Sequence, residues 1–141
     1  MAKAPHPSAD PARAATGRCL CGGVKFEVLG PLRPVTYCHC GMCRRTSGHF
    51  VAASACDRGH LRMLATDGLT WYQSSASARR GFCGRCGSQL FWDPVDGADI
   101  SLFAGAIDLP SGLTAAEHIF VADKGDYYEI LDGLPQKRGW D

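Results

Sequence analysis

The stretch "YCHCGMCRR", residues 37 to 45, sets Cys38, Cys40 and Cys43 within six positions. Thiols at this spacing bind metal ions or do redox chemistry. Two further clusters have the same character: "CLC" at Cys19 and Cys21, and "CGRCG" at Cys83 and Cys86. In C-x-C an extended backbone turns both side chains to one face, so two sulfurs can serve one ion. In C-x-x-C-G the glycine lets the chain fold back so that both sulfurs point inward. An eighth cysteine, Cys56, stands alone in the apolar run "HFVAASAC" and reads as a buried core thiol.

A closed structural zinc site takes four thiolate or imidazole ligands, whereas a catalytic site keeps three protein ligands and an open position. Seven clustered thiols divide naturally as four plus three. Cys38, Cys40 and Cys43 come from one tight loop and can converge on one ion. Cys19, Cys21, Cys83 and Cys86 are then left for a closed site tying the start of the chain to its middle. Other pairings of the clusters, or Cys56 as a further ligand, satisfy the same count. His39 lies between two candidate ligands and points away from an ion held by its neighbours. His49, His60 and His118 have no partner at ligand spacing and read as core or surface residues.

An ion in a three-thiolate site favours a soft fourth ligand. An incoming thiol would bind as its thiolate, ready to attack a carbonyl carbon. Three thiolates donate much charge, so Lewis acidity is weak there and thiol delivery is the favoured role. Arg44 and Arg45 follow Cys43, and Arg79 and Arg80 precede the second knuckle. Either pair has the fork geometry for a substrate carboxylate, although surface solvation or pairing with acids explains such residues equally well. Ser74, Ser75, Asp108 and Asp132 sit at turn signals and read as turn-forming.

The elements that must position these thiols are short strands. "VKFEVLG" alternates as a half-buried strand does, and "HFVAASAC" reads as a buried one. "LRMLA" and "LTWYQS" flank "TDG", which predicts a hairpin. "SQLFWD" and "DISLFAGAI" read as two strands joined across "PVDGA", and "EHIFVAD" as another. Only "LPSGLTAAEH" has room for a helical turn. Seventeen glycines and eight prolines punctuate the gaps. The class is mostly β, as one domain over residues 16–136, with a disordered tail at 1–15 and a short tail at 137–141.

The chain has 141 residues, 45% of them hydrophobic and 21% charged, with a formal net charge of +1. That balance argues against a nucleic-acid partner, and no apolar run approaches the ~20 residues of a membrane span. The first residues lack the apolar stretch of a secretory leader, so the expectation is cytoplasmic, where clustered thiols are ligands rather than disulfides.

In this order, "GRCLCGGVKFEV", "YCHCGMCRRTSG", "YQSSASARRGFCGRCGSQLFW", "AGAIDLP" and "HIFVADKGDYYEILDGLPQ" resemble the glutathione-dependent formaldehyde-activating enzyme family, which includes centromere protein V. The resemblance spans about Gly17 to Gln136. It implies a β-tent of packed antiparallel sheets with two zinc ions. The structural ligands would be Cys19, Cys21, Cys83 and Cys86, and the catalytic ligands Cys38, Cys40 and Cys43. It also implies a carbon–sulfur lyase acting on a glutathione-like thiol and a small aldehyde such as formaldehyde. The rival reading is a non-catalytic, zinc-stabilised binding or thiol-carrier module.

Overall fold

The computed structural model describes residues 15–141. Among these residues there are ten strands and one α-helix. The strands are β1 (Ala15–Arg18), β2 (Val24–Val28), β3 (Val35–Cys38), β4 (Val51–Asp57), β5 (Leu61–Thr66), β6 (Leu69–Gln73), β7 (Ala78–Cys83), β8 (Gln89–Pro94), β9 (Asp99–Phe103) and β10 (Ala115–Ile119); the helix is α1 (Gly41–Ser47). They form a three-stranded sheet, β1-β2-β5, and a seven-stranded sheet, β10-β3-β4-β9-β8-β7-β6. The mostly β, two-sheet architecture is the expected one. One pairing departs from the antiparallel pattern: β10 runs parallel to β3.

The alternation in β2 explains how the sheets join. Val24, Phe26 and Val28 are fully buried on one face, while Lys25 is exposed. Phe26 meets Phe91 of β8 edge-on at 5.3 Å between ring centroids. Leu90 and Leu102 of the larger sheet, both fully buried, belong to the same core cluster. A buried side chain of this size contributes about 1.5–3 kcal/mol.

Three expectations need correction. The "TDG" turn joins β5 to β6 but makes no hairpin ladder, because β5 pairs with β2 and β6 with β7. Its backbone bonds elsewhere: Asp67 N donates to Gly23 O at 2.9 Å and Gly84 N to Gly68 O at 2.7 Å. The turn thus carries the chain from one sheet to the other. The segment "LPSGLTAAEH" holds no helical turn, since β3 offers an open edge and draws Ala115 onward into a ladder. The loop carrying Cys43 is a short helix, with Cys40 as its N-cap and Gly48, at φ 84°, closing its end.

Both ends of the described chain touch the sheets. Residues 1–14 of the expected tail lie outside the described residues, while Ala15 is buried as the first residue of β1. Residues 137–139 are held by backbone bonds, while the side chains of Arg138, Trp140 and Asp141 are exposed. Lys137 N donates to His118 O and Phe120 N to Gly139 O, and Trp140 meets Phe120 at 5.1 Å. Contact with Phe120 and the outer edge of β10 hold this end of the chain.

Candidate metal centres and the cavity beside one of them

Cys19 and Cys21 sit in the turn between β1 and β2; Cys83 ends β7 and Cys86 lies in the turn that leads to β8. One turn belongs to each sheet, and the two face each other. All four Sγ atoms lie within 4.8 Å of one another. Cys19 and Cys21 are 3.6 Å apart and Cys21 and Cys83 3.7 Å. With zinc–sulfur bonds of about 2.3 Å, the edge of a thiolate tetrahedron is about 3.8 Å, so these separations fit such an ion.

The two turns use the same device. Gly22 and Gly87 have φ of 80° and 81°, a left-handed conformation open to glycine at little cost. The folded-back chain brings polar hydrogens to the sulfurs: Val24 N donates to Cys19 Sγ at 3.3 Å, and the Ser88 hydroxyl lies 3.2 Å from Cys86 Sγ. The Ser88 hydroxyl, then the backbone amides of Cys21 and Ser88, hold the Cys86 thiol down to about 5. It is thiolate at neutral pH, the form a metal takes.

Cys38 ends β3, Cys40 caps α1 and Cys43 lies one turn into it, and their sulfurs also lie within 4.8 Å of one another. Cys43 N donates to Cys40 Sγ at 3.3 Å. Crowding splits their acidity. Bonds from Cys38 and Cys43 pull the Cys40 thiol down to about 2, while the neighbouring Cys40 and Cys43 sulfurs, then burial, push Cys38 far above the thiol range. Only a shared cation lets the trio hold three thiolates. Cys56 joins neither group of sulfurs. It is buried in the core beside Phe26, and burial pushes its thiol up to about 11.

A cavity of about 360 Å³ opens on the trio. Arg80 lines it and is 4% exposed. Its Nη2 lies 3.8 Å from Cys43 Sγ, its Nε has no hydrogen-bond partner, and no carboxylate among the described residues pairs with it. An unpaired buried guanidinium is costly, so a negative cluster beside it is its natural counter-charge.

Strand alternation splits the arginine pair. Arg79 faces the other way, bonds Asp93 at 2.9 Å and stacks over Trp71 at 3.8 Å. Arg44 is half-buried and Arg45 exposed on α1, and neither lines the cavity. Arg33, exposed before β3, does. Ser75 serves its turn by accepting from Ser77 N and Ala78 N, and also lines the cavity. Asp108 accepts from the Thr16 hydroxyl at 2.7 Å.

A buried polar chain behind the trio has no signal in the local sequence. His39 is 1% exposed, and neither of its ring nitrogens joins the sulfur group. Its Nδ1 meets the Tyr128 hydroxyl at 2.5 Å and its Nε2 meets His118 Nδ1 at 2.8 Å. His118 Nε2 in turn reaches Asp132 at 2.8 Å. Asp132 also accepts from Leu134 N, so the turn role expected for it holds alongside this one. Only the β3–β10 pairing brings His39 and His118 together. His49 contacts Tyr127 at the surface.

The profile of the family described as "Glutathione-dependent formaldehyde-activating enzyme" matches residues 14–123. A Halomonas elongata protein named "Putative glutathione-dependent formaldehyde-activating enzyme" is 32% identical over 125 residues, covering 81% of this chain and 79% of its own. A Schizosaccharomyces pombe protein named as an uncharacterized lyase is 27% identical, covering 82% of this chain and 85% of its own. A crystal structure of a Rhodobacter sphaeroides protein shares the fold, with a TM-score of 0.54 at 22% identity over 86% of this chain and 98% of its own. No helix among the described residues is long and apolar enough to cross a membrane. With the profile covering most of the chain and the cysteines gathered into two metal-ready groups, the chain belongs to the glutathione-dependent formaldehyde-activating enzyme family.

Proposed function

We propose that the chain is a zinc-dependent enzyme of the carbon–sulfur lyase type, acting on the S-hydroxymethyl adduct of a thiol and a small aldehyde. The observation that carries this reading is the inequality of the two sulfur groups. One has four sulfurs, enough to enclose an ion; the other has three and opens on a cavity. Cys19, Cys21, Cys83 and Cys86 are the structural ligands, and Cys38, Cys40 and Cys43 the catalytic ones. Cys38, Cys40 and Cys43 would hold the zinc ion, which would lower the pKa of an incoming thiol and so make its thiolate available near neutral pH.

The chain's own residues do the rest. Arg80 offsets the negative charge gathered at the sulfurs. Phe103 and Trp92 wall the cavity and limit water, which strengthens that attraction. Ser77 and Ser101 line it and offer hydroxyls to the aldehyde oxygen. In the forward direction the substrate sulfur bonds to the aldehyde carbon. The carbonyl π pair moves to oxygen, which takes up the proton the thiol gave up. The reverse breaks the carbon–sulfur bond and returns both partners. We assign the cationic contacts to Arg80 and Arg33, which line the cavity, rather than to Arg44 and Arg45.

A closed, non-catalytic module would need an eighth sulfur at the trio, and Cys56 lies in the core instead. The test follows carbon-13 formaldehyde with a thiol by NMR, with and without zinc-loaded protein. Faster interconversion of free aldehyde and S-hydroxymethyl adduct, lost in Cys40→Ser, is the expected result. Exchange no faster than without protein, for every thiol tried, rejects the reading.

A further inference from the structure

Taking the cavity beside the trio as the seat of the thiol, as proposed above, its lining says which kind of thiol fits. The ionisable groups along it, apart from the cysteines, have one sign: Arg33 and Arg80 line it, and no aspartate or glutamate does. Glu117 bonds Thr36 from behind at 3.3 Å, but its carboxylate is paired with Lys137 at 2.8 Å.

The two guanidiniums are not equivalent. Three thiolates around a dication leave one net negative charge, and Arg80, 3.8 Å from Cys43 Sγ, is placed to offset it. Arg33 is the spare cation. It donates from Nε to Pro34 O at 3.3 Å and from Nη2 to Ala53 O at 3.0 Å, and no carboxylate among the described residues pairs with it. The remaining lining mixes aromatic side chains with the hydroxyls of Thr36, Ser75, Ser77 and Ser101. Trp140 packs against Phe120 at 5.1 Å and Trp92 at 6.4 Å, and all three line the cavity.

We infer that the cavity selects a thiol with an apolar, ring-bearing body and a single carboxylate, without an ammonium group. The sulfur enters beside Arg80, the body lies along Trp92 and Trp140, and the carboxylate meets Arg33. An ammonium would sit among two guanidiniums with no acid to receive it.

The test uses cobalt-substituted full-length protein, where thiolate-to-cobalt absorption reports sulfur binding. Three benzylic thiols of like acidity are titrated beside glutathione: 4-(mercaptomethyl)benzoate, 4-(mercaptomethyl)benzylamine and benzyl mercaptan. The acid is expected to bind roughly tenfold or more tightly than the amine and than glutathione, the difference that one charge-assisted hydrogen bond makes. Arg33→Met should reduce the acid's advantage over benzyl mercaptan to within about twofold. Glutathione or the amine binding as tightly as the acid in the unsubstituted protein overturns the inference but leaves sulfur binding at the trio standing. An absorption that responds to no thiol overturns both.

Discussion

The two sulfur clusters draw on one residue type, and their surroundings give them opposite tasks. The four-sulfur group lies where a turn of the small sheet meets a turn of the large one, so an ion there would fasten the sheets together. Its supporting groups are amides and a serine hydroxyl, which satisfy the sulfurs locally. The three-sulfur group hangs on the end of β3 and a seven-residue helix, with a guanidinium and a cavity in front and buried histidines behind. A thiolate cluster that completes itself serves the fold. One that is a ligand short and faces a charged, walled space is built to receive something.

The largest effect should come from breaking the first member of the pair. Cys83→Ser removes a ligand that is fully buried between the sheets. Metal binding at structural thiolate sites is worth about 10 kcal/mol or more, comparable with the whole stability of a domain of this size. Loss of one zinc and of the cooperative thermal transition is expected, read by metal analysis and calorimetry. A melt within a few degrees of the unsubstituted protein would show that the cluster does not hold the sheets.

Cys40→Ser probes the other member. It should lower the zinc content by one and the adduct exchange rate to background, while the thermal transition stays in place. Equal collapse of both variants would erase the distinction between a site for the fold and a site for chemistry.

A smaller effect sharpens the count of ligands. Cys56→Ser should keep both metals and cost about 1–3 kcal/mol, because a buried hydroxyl replaces a thiol that needs no partner. In the native protein the Cys56 thiol, pushed up to about 11, should resist alkylation at pH 8 until the chain unfolds. Loss of a metal ion in the variant would place Cys56 in the trio after all. Least of all should change in Arg44→Gln with Arg45→Gln: surface substitutions sit within about 0.5 kcal/mol, and the exchange rate should stay within about twofold. A tenfold loss would return these two residues to the substrate.

Much of this contrast was legible in the chain. The spacing of Cys38, Cys40 and Cys43 singles them out, and the division of seven thiols into four and three matches the two groups. The alternation of "VKFEV" placed β2 with its correct buried face. Long-range pairing was not legible. Local turn chemistry at Asp67-Gly68 cannot reveal that the strands on either side belong to different sheets. The parallel β10–β3 pairing joins residues about eighty positions apart, and with it comes the His39–His118 contact. The sequence names Arg79 and Arg80 together; only the pleat of β7 shows that one pairs with Asp93 while the other reaches Cys43.

The central claim is that one sulfur cluster is complete and the other is one ligand short. Zinc-edge X-ray absorption on protein carrying two zinc ions tests it directly. Averaged over a four-sulfur and a three-sulfur site, the account predicts about 3.5 sulfurs per zinc, rising to about 4 when a thiol that binds is added. Four sulfurs per zinc before any thiol is added, or a folded protein that holds a single zinc, would contradict it.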